Sequence, residues 1–285
     1  NVNVPFTVEA EIVFPKVPDI ATFASTLLLE SASLFGVHSS SLSHTDTTIP
    51  ATDADFQVYS VKRGIGEQFV LTSSTGFFPT LASPVFVNDN NKIYDNLRWN
   101  LAVRIRPVGE EIPTSQWTYG ESRLEFYGAK VHLGEVLEEF EVTASTPAWT
   151  VASASQFLTN SNKRFYIGAH RTNITGAVLT QTDVRFSRFM VWNDYVGNEQ
   201  IKHHARDPRN FGRNYPYRNA FVNELNSLPP AAATPIVSTT YIPQADTLAL
   251  HWEFSTITTA SAGGIVQNVL DSTSGSTSDV LKYPL

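Results

Sequence analysis

The stretch Arg164–Gly212, RFYIGAHRTNITGAVLTQTDVRFSRFMVWNDYVGNEQIKHHARDPRNFG, decides the fold. It reads as a strand, a glycine turn, a long strand, a short helix and a stop. The helix is expected over Gly197 to Ala205. Glu199 falls in its first turn and basic residues fall in its last, as the helix dipole favours. Asp207-Pro208 then stops it. The long strand changes phase part-way. Val184 and Phe186 share one parity, and Phe189 and Val191 share the other. A regular strand would send the two pairs to opposite faces. A β-bulge near Ser187-Arg188 returns both to one core and turns Arg188 outward. The stretch therefore closes a β-sandwich, and a ligand site is expected in loops elsewhere.

The rest of the chain repeats that character. In Pro5–Phe14, Phe6, Val8, Ala10, Ile12 and Phe14 alternate with Thr7, Glu9, Glu11 and Val13, which marks a half-buried strand. Thr22–Glu30 is an apolar run of strand length, and His38–Ala54 is a polar loop. Asp55–Lys62 and Gln68–Ser73 flank Gly64-Ile65-Gly66 as a hairpin. Phe77–Tyr94 is loop-like. Leu97, Trp99, Leu101, Val103 and Ile105 alternate with Arg98, Asn100, Ala102, Arg104 and Arg106, a half-exposed strand with a cationic outer face. Two or three further strands are read between Arg123 and Thr143, joined by tight glycine turns. Residues 216–244 are a Pro/Ala-rich linker or wrapping segment. In Asp246–Phe254, Leu248, Leu250, Trp252 and Phe254 alternate again. Many short strands with turn signals between them, and one helix, argue an all-β sandwich or barrel, of which a two-sheet antiparallel sandwich is the expectation taken forward.

Bulk properties exclude several classes. The 285 residues carry 20 Lys and Arg against 27 Asp and Glu, a formal net charge of −7, with no basic block. Nucleic-acid binding is not expected. No apolar run reaches the length of a membrane span, so no membrane insertion is expected. Charged residues make up 16%, against the usual quarter. Ser, Thr and Asn supply much of the polar surface instead, as in extracellular and virion β-proteins. The absence of cysteine removes disulfides, thiolate zinc sites and thiol catalysis, and leans toward a microbial or viral source. With Asn1 first and no signal peptide, the chain is expected to be part of a longer protein or a processed product.

The order of these elements resembles the laminin-G-like, concanavalin-A-like jelly-roll family. PFTVEAEIVFP resembles its early core strand and LRWNLAVRI its central strand with a Trp. LEFYGAKVHLG resembles a hairpin that in the family turns on Asn-Gly and here would turn on Tyr127-Gly128. RFYIGAHR with FSRFMVWNDYVGNEQIKHHA resembles the closing strands and short helix. The resemblance covers residues 5 to about 212, within a core domain read as 1–215. ADTLALHWEF resembles the family's first strand, yet lies at residues 245–254. It is either the start of a next unit in a tandem array, the preferred reading, or the closing strand of the same sandwich, which Trp252 buried against this core would favour.

Enzymatic signals are weak. Of Glu135, Glu138, Glu139 and Glu141, only Glu139 and Glu141 share a strand face, and Leu137 stands where the family's glucanases would need a third acid. A retaining glycosidase needs two carboxyls about 5–5.5 Å apart. This run reads as an exposed strand edge. His203 and His204 are adjacent on a helix, cannot chelate one ion together, and read as surface residues. The resemblance makes loop Ca²⁺ a question, and Asp89, Asn91 and Asp95 supply oxygens of the type it takes. Aromatic stacking on a sugar ring, assisted by Arg donors, points to Trp117, Tyr119, Tyr94 and Arg171. Tyr215 and Tyr217 are further loop aromatics, whereas Trp99, Trp192 and Trp252 are expected in the core. Asn173-Ile174-Thr175 is a glycosylation sequon. The function expected is a non-enzymatic binding or structural module of a larger extracellular or virion protein, such as a phage tail or head appendage. Its partners would be glycans, neighbouring subunits, or both, in a homo-oligomer or other multi-subunit assembly. A glycan-degrading enzyme and a purely architectural filament or capsid domain are the alternatives.

Overall fold

The computed structural model describes residues 5–16, 29–39, 54–63, 66–73, 78–87, 92–107, 122–146, 163–171, 177–193, 195–207 and 248–254. In order these residues form β1 (Phe6–Val13), β2 (Ser31–Ser39), β3 (Ala54–Arg63), β4 (Gly66–Thr72), β5 (Leu81–Ala82), β6 (Arg98–Pro107), β7 (Ser122–His132), β8 (Glu135–Thr146), β9 (Lys163–Ile167), β10 (His170–Arg171), β11 (Val178–Thr180), β12 (Arg185–Trp192), helix α1 (Asn198–Arg206) and β13 (Leu248–Glu253). One sheet has six strands in the order β13-β12-β1-β6-β7-β8. The other has five, in the order β5-β4-β3-β2-β9, and β10-β11 form a separate ribbon. Both sheets are antiparallel throughout. The architecture is a two-sheet β-sandwich.

Large apolar residues meet between the sheets. Phe6, Val8, Ala10 and Ile12 of β1 and Trp99, Leu101, Val103 and Ile105 of β6 face Phe35, Val37, Phe56, Val58, Phe69 and Leu71 of the five-stranded sheet. The rings pack largely edge to face, as their quadrupoles prefer; Phe69 meets Phe14 at 5.5 Å and Trp99 at 5.1 Å. The predicted bulge lies in β12. Glu11 pairs with Arg188 and Ile12 with Phe186, so Ser187 is the extra residue. Phe189 and Val191 are buried in the core, and Val184 and Phe186 pack against it. Arg188 leaves the core side as expected, but does not reach solvent. It is 3% exposed, bonding the Glu11 carboxylate at 3.2 Å and the His204 carbonyl at 2.9 Å.

The reason is α1, one residue displaced from its expected span, which lies over the outer face of the six-stranded sheet. Ile201, Ala205 and Val196 form a second apolar cluster with Ala102, Tyr127, Ala129, Met190, Trp192 and Leu248. The middle of the expected cationic outer face of β6 is therefore an internal layer, while the Arg98 side chain at its end stays 41% exposed. Arg104 is fully buried; it pairs with Glu125 at 3.0 Å and donates to the Val196 carbonyl at 3.0 Å. Glu125 also accepts from Arg106 at 2.9 Å and from the Tyr195 hydroxyl at 2.7 Å. Nor is His204 a surface residue. Its Nδ1 lies 2.8 Å from Glu9, and its ring stacks on Trp192 at 5.5 Å.

Three further readings change. The hairpin turn is not Tyr127-Gly128: β7 runs straight through Gly128. That glycine is needed for close approach, since a Cβ there would lie 2.3 Å from the Phe140 ring and 2.9 Å from Leu101. The turn is Leu133-Gly134, both at positive φ (51° and 84°), the pattern of a type I′ hairpin. β2 occupies residues read partly as loop, and the expected strand at 22–30 falls mainly outside the described residues. Lastly, β13 pairs with β12 and Trp252 stacks on Phe189 at 5.5 Å, which favours the closing-strand reading over the start of a next unit. The linker at 216–244, the tail beyond 254, Tyr215, Tyr217 and the sequon lie outside the described residues.

Candidate functional site

The outer face of the five-stranded sheet has a different composition. Strand alternation presents Gln57, Tyr59 and Val61 of β3 and Gln68, Val70 and Thr72 of β4 on the side away from the core. With Ser31, Gly66 and Val85 these residues, Gln57 apart, line an open groove of about 320 Å³. The lining is hydroxyl, amide, phenol and aliphatic surface, with no ionised side chain. Two glycines thin the wall where neighbours come close. A Cβ at Gly66 would lie 2.5 Å from Val85, and one at Gly36, further along the same face, 2.6 Å from the Tyr166 ring.

Tyr59 joins the groove to a histidine cluster. Its hydroxyl donates to Gln57 Oε1. Gln57 Nε2 lies 3.3 Å from His170 Nδ1, and His170 Nε2 lies 2.7 Å from His38 Nε2. Two imidazole nitrogens at that distance need one proton between them, so one ring donates and the other accepts. Tyr166 stacks on His170 at 4.8 Å and lies 5.4 Å from the His38 ring. Burial lowers the pKa of His170 from the ordinary imidazole range. Burial also raises Tyr59, with Thr180 of β11 pulling the other way, so its phenol keeps its proton. The arrangement offers a fixed neutral hydroxyl, an amide and an aromatic edge beside aliphatic surface. That suits hydrogen bonding to an uncharged polyol.

The residues singled out from sequence fall elsewhere. Tyr94 is a core residue rather than a platform for a sugar ring. It is 2% exposed, its hydroxyl bonds Ser60 and Asp183 at 2.7 Å each, and Lys62 sits 4.0 Å above its ring. Desolvation beside Asp183 raises its phenol far above the ordinary range. Asp95 receives the Lys130 ammonium at 2.5 Å and the Leu97 amide at 2.9 Å. Asp89 and Asn91, its expected partners for Ca²⁺, lie outside the described residues, as do Trp117 and Tyr119. Arg171 belongs to β10, opposite Val178. No group of three His, Asp or Glu side chains able to hold a metal occurs among the described residues. Glu139 and Glu141 lie on edge strand β8 as expected. Glu139 holds Lys202 at 2.8 Å and Tyr127 at 3.0 Å, and Glu141 takes Asn198 at 2.8 Å, so both tie α1 to the sheet.

No family model matches the chain, and no curated protein matches it. Among solved structures it is similar to the enzymatically active domain of tailspike protein 2 of bacteriophage CBA120, with 9% identity and a TM-score of 0.42, over 71% of this chain and 24% of that one. It is also similar to the receptor-binding domain of botulinum neurotoxin type G, with 10% identity and a TM-score of 0.36, over 71% and 38%. A third is the alginate lyase of Klebsiella pneumoniae, with 11% identity and a TM-score of 0.31, over 66% and 59%. The chain spans less than two thirds of each of these proteins, and likenesses this distant carry no argument about its activity.

Proposed function

We propose that this chain is a non-enzymatic binding module of a larger extracellular or virion surface protein, of the laminin-G-like, concanavalin-A-like jelly-roll type. It holds an uncharged glycan in the groove on the outer face of the five-stranded sheet. It works beside neighbouring subunits in a homo-oligomer or multi-subunit appendage, without nucleic acid or membrane insertion. The observation that carries the reading is the groove's lining: Tyr59, Gln68, Ser31 and Thr72 among valines, uncharged and open. Sugars present hydroxyls beside C–H faces, and such a surface matches both. None of these lining residues carries an ion pair: the Lys62–Asp183 pair on β3 turns to the core side over Tyr94, and the others cited lie in the six-stranded sheet, its helix and the turn before β6. A glycan array probed with the chain and with Tyr59→Ala tests this. Binding to uncharged oligosaccharides, weakened in the variant, is expected. An array without a hit, or a variant that binds like the parent, overturns it.

One observation favours the enzymatic alternative. Tyr59 beside the groove and the hydrogen-bonded imidazoles of His170 and His38 behind Gln57 are side chains of the kinds that serve as general acids and bases. Incubation with a panel of polysaccharides, followed by assay for new chain ends, separates the readings. The binding module leaves chain length unchanged.

A further inference from the structure

Lys130 occupies a position that β-sandwich patterning reserves for apolar residues. On β7 it shares the inward parity of Phe126 and Gly128, opposite Trp99 of β6 and Glu138 of β8. It is 1% exposed, with Nζ 5.8 Å from the centre of the Trp99 ring, and Phe69, Phe86 and Phe140 surround that indole. Three groups converge on the nitrogen. Asp95 Oδ2 is at 2.5 Å, the Lys92 carbonyl at 3.0 Å and Glu138 Oε2 at 3.8 Å.

A buried ion pair would need one carboxylate. This site has two, and they are held differently. Asp95 sits in a tight turn: its other oxygen caps the Leu97 amide, Asn96 takes a positive φ of 68°, and the Asn96 amide is bonded to the Phe14 carbonyl at 2.8 Å. Its carboxyl carbon, one bond beyond an oxygen already touching Nζ, is fixed within reach of that nitrogen. Glu138 Oε2 is buried and accepts no hydrogen bond. We propose that Lys130 and Asp95 are the partners of an intramolecular isopeptide cross-link, with Glu138 as the proton carrier.

The chemistry balances without a co-reactant. The Lys130 ammonium gives a proton to the Glu138 carboxylate, and the freed amine attacks the Asp95 carboxyl carbon. A new C–N bond forms and a C–O bond breaks. The departing oxygen takes one proton returned by Glu138 and a second from the nitrogen, and leaves as water. One ammonium and one carboxylate become one amide and one water, and Glu138 ends as it began. Burial holds the Glu138 carboxyl above its ordinary range, which Lys130 opposes and Asp95 reinforces, so it takes and returns a proton more readily than a solvated glutamate. Fixed near-attack geometry about a buried amine is what the uncatalysed condensation lacks. The product would staple the turn before β6 to the far end of β7, across two neighbouring strands of the six-stranded sheet. This inference does not depend on the groove.

The test is the intact mass of the purified chain after unfolding, followed by fragmentation of its tryptic digest. The expected mass is that of the sequence less one water. A branched peptide should join the segment holding Asp95 to that holding Lys130, with no cleavage after Lys130. Asp95→Ala and Lys130→Arg should each restore the sequence mass, and Glu138→Gln, with a native β-type circular dichroism spectrum, should slow or abolish the water loss. An intact mass equal to the sequence in a chain shown to be folded overturns the proposal, as does a lost water mapped to any other residue. A cross-link that forms at the parent rate in Glu138→Gln overturns the role of Glu138.

Discussion

The two outer faces of this sandwich are built from the same strand alternation and end in opposite states. On the six-stranded sheet, Glu9, Glu11, Asn100, Arg104, Glu125 and Arg188 face outward from the core, and all are buried. A helix of nine residues lies over them, and each acidic or basic group has an ion-pair or hydrogen-bond partner. On the five-stranded sheet, the outward residues beside the groove are Tyr59, Val61, Gln68, Val70 and Thr72, all uncharged and part-exposed. Charge marks the structural face and neutrality marks the open one. A charged layer under a helix is fixed by its pairs and has little left with which to recognise anything. The neutral face keeps its hydroxyls and amide available.

Breaking a pair in the charged layer gives the largest effect. Arg104→Met leaves Glu125 fully buried with only Arg106 and Tyr195 to hold it. Removing one member of a buried pair costs about 3–5 kcal/mol. A stability loss of that size, read as a lowered urea midpoint at unchanged slope, is expected, and much of it should return in Arg104→Met combined with Glu125→Leu. The groove lies on the other sheet, so any glycan affinity of the folded fraction should stay at the parent level. If the single variant loses less than about 1 kcal/mol, the layer behaves as a surface network and the contrast between the faces is lost.

Residue patterns revealed the inner faces well and the outer faces poorly, for one physical reason. Phe6–Phe14 and Leu97–Ile105 alternate cleanly because one side of each strand meets a packed core. The other side alternates identically whether water or a helix covers it. Arg98–Arg106 therefore read as a cationic surface although Arg104 is buried, and His204 read as a surface residue although it sits on Glu9 and Trp192. The bulge at Ser187 was legible because four apolar residues conflicted in phase. β2 was missed because a bulge at Leu34 breaks its phase, and its outward positions carry Ser31, Ser33 and Gly36, which leave no clean apolar alternation. The groove was not legible because loop aromatics such as Trp117 and Tyr119 carry the stronger sugar-binding signal in the sequence. Its signal was present in Gln57-Tyr59-Val61 and Gln68-Val70-Thr72, two outward triplets without a charge.

The second effect belongs to the neutral face. Tyr59→Ala and Gln68→Ala should each weaken glycan binding roughly tenfold, the equivalent of about 1.4 kcal/mol, in a titration at constant salt. Their unfolding midpoints should move far less than that of Arg104→Met. A Tyr59→Ala variant that unfolds as readily as Arg104→Met would make the two faces structurally equivalent.

A third, smaller effect depends on pH. Burial lowers the pKa of His170 below its unfolded value, so as pH falls the unfolded chain binds a proton first. The stability this residue contributes is complete above the ordinary imidazole range and is lost as pH falls from there toward the depressed folded value. Its hydrogen-bond and ring contacts among the described residues include His38, Tyr166 and Gln57, which carry no negative charge to offset the added proton. Thermal midpoints should fall in the parent from about pH 7 to pH 5, with a loss of unfolding free energy of no more than about 1.4 kcal/mol for each unit of pKa difference. The fall should be shallower in His170→Gln. Equal slopes would place the pH sensitivity elsewhere.

The smallest effect sharpens the contrast from the charged side. The β7–β8 turn sits at the rim of that face, where Arg206 at the end of α1 donates to the Gly134 carbonyl at 2.8 Å. A type I′ turn needs positive φ at both central residues, and Leu133 supplies one of them at 51° with its side chain 88% exposed. A leucine is strained there by about 1–2 kcal/mol, and asparagine tolerates the conformation better. Leu133→Asn removes no packing and completes the Asn-Gly pair that such hairpins prefer. It should stabilise the chain by about 0.5–1 kcal/mol in urea unfolding and leave the groove unchanged. A destabilised variant would mean that Leu133 has a packing partner, and that the charged face extends past its rim through an apolar contact.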